Sequence, residues 1–263
     1  MKKKNKILIT LIQIVLIAVI IFSGIKIIEW IKSNKKNKDI MSEIKENVVI
    51  NNEMDSNNEE YKIDFAKLKQ KNSDAIAWIK VNGTDIDFPV VKGTDNSYYL
   101  THNFDKEKNK AGWIFADYRN KFDGTDKNII IYGHNMKNGS MFAQLHKFED
   151  PDFFDANREV VIYLPGEVLH YTIFAAHIYD DRHLLYSFDF TNPEVYQKYL
   201  DSIFSTRDMS ANIDKDITVT TDNQIITLVT CIGSQPNNRL LVQAVLTDRE
   251  LGAETALAAA ATE

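Results

Sequence analysis

Hydrophobic residues follow three regimes along this chain. The first is Ile7 to Ile25, ILITLIQIVLIAVIIFSGI, an uncharged run preceded by Lys2, Lys3, Lys4 and Lys6. At ~1.5 Å per residue it spans roughly the ~30 Å hydrocarbon core of a bilayer and predicts one membrane helix. It is longer than the ~7 to 15 apolar residues of a signal-peptide core, and no small-x-small cleavage site follows, which favours an uncleaved anchor over a cleaved leader. Lys26, Lys32, Lys35, Lys36 and Lys38 flank the other end as heavily, so counting positive charges leaves the orientation open. The second regime, 33–60, is dominated by Lys, Asn, Asp and Glu and predicts a solvated stalk with a short helix around Ile40 to Val48.

The third regime begins near Tyr61. Asp64 to Lys71 can form a first helix, with Phe65 and Leu68 on one side. Strand-like stretches bounded by turn residues follow: Ala77 to Val81, Phe88 to Val91, Gly112 to Phe115, Asn128 to Tyr132, Val160 to Leu164, Leu169 to Tyr179, Ile217 to Thr220, Ile225 to Cys231 and Arg239 to Thr247. Two helices interrupt them. Ser140 to His146 predicts a short one. Pro193 to Ser205 predicts another, with Asn192 as N-cap, Pro193 at N1, and Val195, Tyr199, Ile203 and Phe204 near one face. The pattern is mainly β, a barrel or a sandwich. The organisation it predicts is an N-terminal tip and membrane anchor over 1–32, a stalk over 33–60 and a folded domain over 61–248. The Ala-rich segment 249–263 is set aside from the fold as an added tail.

Composition narrows the function. The chain has 263 residues, a net charge of −6, ten Gly, five Pro and one Cys, which excludes wholesale disorder, a disulfide scaffold and a cysteine-ligated zinc finger. Nine Lys and one Glu put +8 on the first 38 residues and leave −14 on the remainder. An acidic body disfavours a nucleic-acid partner, whose phosphates are met by clustered Lys and Arg. No GxxxxGK[ST] or GxGxxG occurs, and the spacing of His170, His177 and His183 matches neither HExxH nor paired zinc ligands.

Cys231 ends the apolar strand ITLVTC and precedes a turn-rich segment, Ile232 to Asn238, that leads into RLLVQAVLT. Cys231 and Arg239 therefore stand at the mouth of a hairpin. A lone cysteine is commonly a small buried hydrophobe, but positive charge beside a strand end stabilises a thiolate. A thiol of ordinary pKa ~8.5 is only a few per cent thiolate at neutral pH, so nucleophilic work needs a base or a cation. Of six histidines, His134 alone follows a strand through a glycine and precedes a polar turn, a setting that presents an imidazole to a groove. His170 and His177 lie within strands, packed or exposed.

The segments NSDAIAWIKVNGTDIDFPVV, TDNSYYLTHNF, GWIFADYRN, NIIIYGHNMKNGSMFAQL, TLVTC and RLLVQAVL, in this order between Asn72 and Leu246, resemble the class B sortases, membrane-anchored cysteine transpeptidases of Gram-positive bacteria. The resemblance implies an eight-stranded β-barrel with N-terminal helices and an extra helix before the cysteine strand, which Pro193 to Ser205 supplies. By motif position, His134, Cys231 and Arg239 resemble the catalytic trio. Asn96, Leu100, Tyr132 and Thr230 match positions that line the peptide groove, and the segment with Leu185 and Tyr186 is expected to form a groove wall. Val229 stands where the family often has serine, which removes one hydroxyl contact.

The resemblance further implies a thioester on Cys231, no metal and no other cofactor. The implied partners are surface proteins with an NPxTG-like or SPxTG-like signal and a peptidoglycan amine, met by an extracellular domain on a single-pass anchor. A thiol endopeptidase, in which water resolves the thioester, and a membrane-tethered binding module with an inert cysteine are the alternatives.

Overall fold

The computed structural model describes residues 2–51 and 61–251. Its first element, α1 (Lys2–Val48), is one continuous helix of 47 residues. The apolar residues from Ile7 to Ile31 are exposed on it. Within it lies the one segment among the described residues long and apolar enough to cross a membrane.

The expected solvated stalk is corrected here. Between Ser33 and Val48 the helix lies on the folded domain. Ile40, Met41, Ile44 and Val48 recur at helical spacing and are buried in the core. Asn37 donates to the Gly112 carbonyl at 3.0 Å and accepts from Asn109 at 2.6 Å, while Ser33 donates to Asn109. The charged residues between these positions dominate the composition, yet they occupy only the outer face. After α1, β1 (Val49–Asn51) pairs antiparallel with β2 (Tyr61–Ile63). The part of the expected stalk over 52–60 lies outside the described residues.

The domain continues through α2 (Phe65–Lys71), capped by Asp64, whose side chain accepts from Lys67 N at 2.9 Å. Strands β3 (Ala75–Val81), β4 (Asp87–Val91), β5 (Phe115–Ala116) and β6 (Asn128–Tyr132) follow. Then come a 3₁₀ segment (Ala143–Glu149), α3 (Pro151–Ala156), β7 (Glu159–Leu164) and β8 (Glu167–Asp180). The chain ends with α4 (Leu184–Ser187), α5 (Pro193–Phe204), β9 (Asn212–Ile213), β10 (Ile225–Ile232) and β11 (Gln235–Leu251). Eight strands in the order β11, β10, β6, β5, β4, β3, β7, β8 close into a barrel through a β8–β11 ladder, and β9 adds to the outside of β8. The expected eight-stranded barrel with a helix before the cysteine strand is the observed architecture.

Alternation along the strands separates inside from outside. Ile129, Ile131, Ile226, Leu228, Leu240 and Val242 fill the barrel core. Their neighbours Ile130, Ile225, Val229, Leu241 and Val245 face outward beneath α5. The helix covers them with Tyr196, Tyr199, Leu200 and Ile203, at i, i+3, i+4 and i+7. Its N-terminus is as expected: Pro193 is the first residue, and Asn192 accepts from Glu194 N and Val195 N at 3.0 and 3.3 Å.

Local patterning was misleading in four places. Ile217 to Thr220 forms no strand, and the short β9 pairs with Ala175 and Ala176 instead. The helix expected at Ser140 to His146 is the 3₁₀ segment, shifted toward Glu149 because Leu145 and Phe148 are the residues it buries. The strand expected from Gly112 starts only at Phe115, since Gly112 has φ +55° and a Cβ there would lie 2.3 Å from the Tyr99 carbonyl. At the other end, Arg249 to Leu251 extend β11 and pair with β8, so the barrel runs three residues past the expected boundary; 252–263 lie outside the described residues.

His177 is a buried histidine of the wall, with Nε2 2.9 Å from Gln243 Oε1. Burial lowers its pKa, against the weaker pull of its Gln243 and Ile178 hydrogen bonds and of Asp208. The folded chain then resists a proton that the unfolded chain takes up near pH ~6.5. The associated stability is complete above that pH and is lost as the pH falls below it. Thermal melts between pH 7 and 5 should show a larger drop for the wild type than for His177→Gln.

Candidate active site

The topology alone brings two distant residues together. β6 and β10 pair in parallel, Val229 opposite Tyr132, so both strands end at the same rim of the barrel. One residue past that pair lies Gly133, whose N–H donates to the Val229 carbonyl at 3.1 Å. His134 follows on one strand and Cys231 on the other. Across β10, Cys231 is the direct partner of Arg239 on antiparallel β11. The expected loop from Ile232 to Asn238 is mostly ladder: β11 begins at Gln235, opposite Ile232, with a bulge between Cys231 and Ile232. Because direct partners share a face, Cys231 and Arg239 both point outward, as do Val229 and Leu241 two residues away.

These side chains open into one cavity of about 650 Å³. Tyr132, His134, Val229, Thr230, Cys231, Arg239 and Leu241 form its floor, with Thr94 to Ser97 and Leu100 along one side and Tyr179 to Leu184 with Tyr186 along the other. The cysteine is free and exposed, which sets it apart from a small buried hydrophobe.

The imidazole and the guanidinium are both held by main-chain carbonyls. His134 Nε2 lies 2.8 Å from the Leu100 carbonyl, an atom that can only accept, so Nε2 carries a hydrogen and Nδ1 is the other ring nitrogen. Arg239 donates through Nη1 to the carbonyls of Pro236 and Asn238, both at 2.8 Å. Its Nε and Nη2 have no protein hydrogen-bond partner among the described residues. Gly133 is required by packing, since a Cβ there would sit 2.6 Å from both Ile114 and Phe142.

The expected groove residues divide by role. Asn96, Leu100, Tyr132, Tyr186 and Thr230 all line the cavity. Thr230 is buried, and its hydroxyl donates to the Gly133 carbonyl at 2.9 Å, so it stitches β10 to the His134 turn. Asn96 donates to Asp117 at 2.8 Å and accepts from Tyr118 N at 3.0 Å. Leu185, in contrast, packs toward α5 and does not line the cavity. Val229 presents methyl groups at the position where a serine was considered.

Asp117, Tyr118 and Arg119 went unassigned in the sequence, yet they organise this wall. Asp117 is fully buried and accepts from Asn96, from Tyr132 OH at 3.1 Å and from Arg119 at 2.9 and 3.0 Å. Burial pushes its carboxyl up, and the hydrogen bonds and charge of Arg119 more than reverse this, leaving it below the usual range and ionised. Burial and that carboxylate hold the Tyr132 hydroxyl well above its ordinary pKa, so it remains a donor. The Arg119 guanidinium lies 3.5 Å from the Tyr186 ring centre, and Tyr118 and Tyr186 share a hydroxyl bond of 2.9 Å. The single hint in the sequence was an Asp and an Arg two residues apart after an apolar run. Asp117→Ala should cost about 3 kcal/mol in thermal or denaturant melts, because it strands Arg119 and removes the shared acceptor.

A family model described as a sortase domain matches residues 79–247. The chain belongs to the sortase family. Sortases are cysteine transpeptidases, and this one carries its single cysteine at the cavity floor. It is 35% identical over 222 residues to sortase B of Listeria monocytogenes, covering 84% of this chain and 88% of that protein. The crystal structure of Clostridium perfringens sortase B is 40% identical and superposes with a TM-score of 0.64 over 70% of this chain and all of the other. The Staphylococcus aureus sortase B–substrate complex is 27% identical, with a TM-score of 0.63 over 85% of this chain and 96% of its own. These relatives support the class B reading of this sortase.

Proposed function

We propose that this sortase cleaves a sorting signal after its threonine and passes the acyl group, through a thioester on Cys231, to an amine of the cell wall. The observation that carries the reading is the convergence of an exposed thiol, an imidazole and a guanidinium on one cavity of about 650 Å³, brought there by three neighbouring strands. The Cys231 thiolate attacks the threonine carbonyl, and the developing oxyanion is met by the donors of Arg239 that the protein leaves free. His134, protonated at Nδ1, gives that proton to the leaving amine, and the peptide carbonyl remains bonded to sulfur. Neutral His134 then takes a proton from the incoming amine, whose attack releases the thiolate and restores the starting pair.

We take the sorting signal to be NPxTG-like or SPxTG-like, and the S. aureus relative was solved with its substrate. The apolar part of α1 serves as a single-pass anchor with the barrel outside, where surface proteins and peptidoglycan amines are found. Incubation with a threonine-containing sorting peptide and hydroxylamine should yield the peptide hydroxamate. Cleavage without hydroxamate overturns the thioester. Adding an amine acceptor and comparing ligated with hydrolysed product separates transpeptidase from endopeptidase.

A further inference from the structure

β10 outruns β6 where the chemistry is placed. Carbonyls alternate along a strand, so the next β10 carbonyl on the side of β6 after that of Val229 is that of Cys231. β6 has ended at Tyr132 and leaves this oxygen no ladder partner. One side chain takes the place of the missing strand, with a second beside it. Asn135 Nδ2 donates to the Cys231 oxygen at 2.9 Å, and His146 Nε2 lies 3.1 Å from it. Asn135 Nδ2 and His146 Nε2 are 2.9 Å apart, and His146 Nδ1 is 2.8 Å from Glu149 Oε2.

With the hydrogen on Nδ1, His146 serves Glu149 and Asn135 together, and its Nε2 then stands beside the Cys231 oxygen without bonding to it. Nδ1–H points to the Glu149 carboxylate, and the Nε2 lone pair accepts one amide hydrogen of Asn135. The second amide hydrogen goes to the Cys231 carbonyl. Glu149 thereby selects the tautomer, His146 orients the amide, and the amide holds the main chain of the thiol. Both ends of this chain are braced. Asn135 forms a bridge with Met141, and the His134 carbonyl accepts from Phe142 N at 3.1 Å. His146 and Glu149 belong to the 3₁₀ segment, whose Leu145 and Phe148 are buried.

We infer that Asn135, oriented by His146 and Glu149, is a positioning residue that ties the Cys231 main chain to the turn carrying His134 and so fixes the separation of thiol and imidazole. Neither Asn135 nor His146 is among the residues that line the cavity. The inference rests on the transpeptidase reading above. A misplacement of ~1 Å in such a pair can cost on the order of 10²-fold in rate.

Steady-state kinetics of the full chain in detergent, with sorting peptide and amine acceptor, test it. Asn135→Ala and His146→Ala should each lower kcat roughly 10- to 100-fold with KM within about 2-fold of wild type. His146→Gln places an amide oxygen near the Nε2 position, where it accepts from Asn135, and should restore kcat to within about 3-fold. Alkylation of Cys231 by iodoacetamide, measured without substrate, should slow in the two alanine variants and recover in His146→Gln. Wild-type kcat in both alanine variants, a His146→Gln as impaired as His146→Ala, or a change in KM alone overturns the inference. Should Asn135→Ala fail to fold, the two His146 variants decide it. Turnover by Cys231→Ala would instead defeat the transpeptidase reading, whereas an inactive Cys231→Ala beside unaffected Asn135 and His146 variants defeats the positioning role alone.

Discussion

Cys231→Ala abolishes cleavage and transfer together while the barrel stays folded. Cys231 is the single thiol of the chain and is exposed at the cavity floor, so its sulfur contributes little packing. Its place in the β10–β11 ladder depends on main-chain bonds that alanine keeps. Thermal unfolding should change by no more than about 0.5 kcal/mol, the usual range for a surface substitution. Chromatography of the peptide products checks the activity. A folded Cys231→Ala that still transfers peptide to an amine excludes the thioester and would return the cavity to a binding role.

Arg239→Lys should reduce kcat/KM by ~10² to 10³, far more than the retained charge suggests. The guanidinium serves two purposes at once. Nη1 bridges the carbonyls of Pro236 and Asn238 and so sets the direction of the side chain, while the remaining N–H groups are left for the substrate. A lysine ammonium can bond those carbonyls or reach the oxyanion, but it has no fork to do both from one position. Circular dichroism should show an unchanged fold. Turnover near wild type in a folded Arg239→Lys protein would show that charge suffices.

What was legible in advance had a local cause. An uncharged run is long enough to cross a bilayer whatever surrounds it, and Ile7 to Ile25 reads as such. Two-residue alternation reports which face of a strand is buried, and the strands that later formed the core pairs, Asn128 to Tyr132 and Ile225 to Cys231, were bounded almost to the residue. The cap at Asn192 and Pro193 follows from orphan N–H groups that any helix start must satisfy. Where charge counting overrode periodicity, the reading failed: the stripe Ile40, Met41, Ile44 and Val48 was present in the predicted stalk, but only the folded domain supplies the surface that buries it.

The apolar helix, a mainly β domain, and a thiol, an imidazole and a guanidinium each beside a strand boundary are all readable from the order of residues. Those features depend on neighbours within a few residues. It takes the folded barrel to set β6 and β10, nearly a hundred residues apart in the chain, parallel side by side with their ends at one rim, so that His134 joins Cys231 while His102 stacks on Tyr98 and His177 is buried in the wall. The same packing makes Asp117 the anchor of one part of the groove and sets Asn135, held by His146, in place of the strand that β10 lacks. Strand pairing is chosen by the burial of the whole barrel, and hydrogen bonds near 3 Å depend on that pairing, so neither leaves a period in the residues that take part.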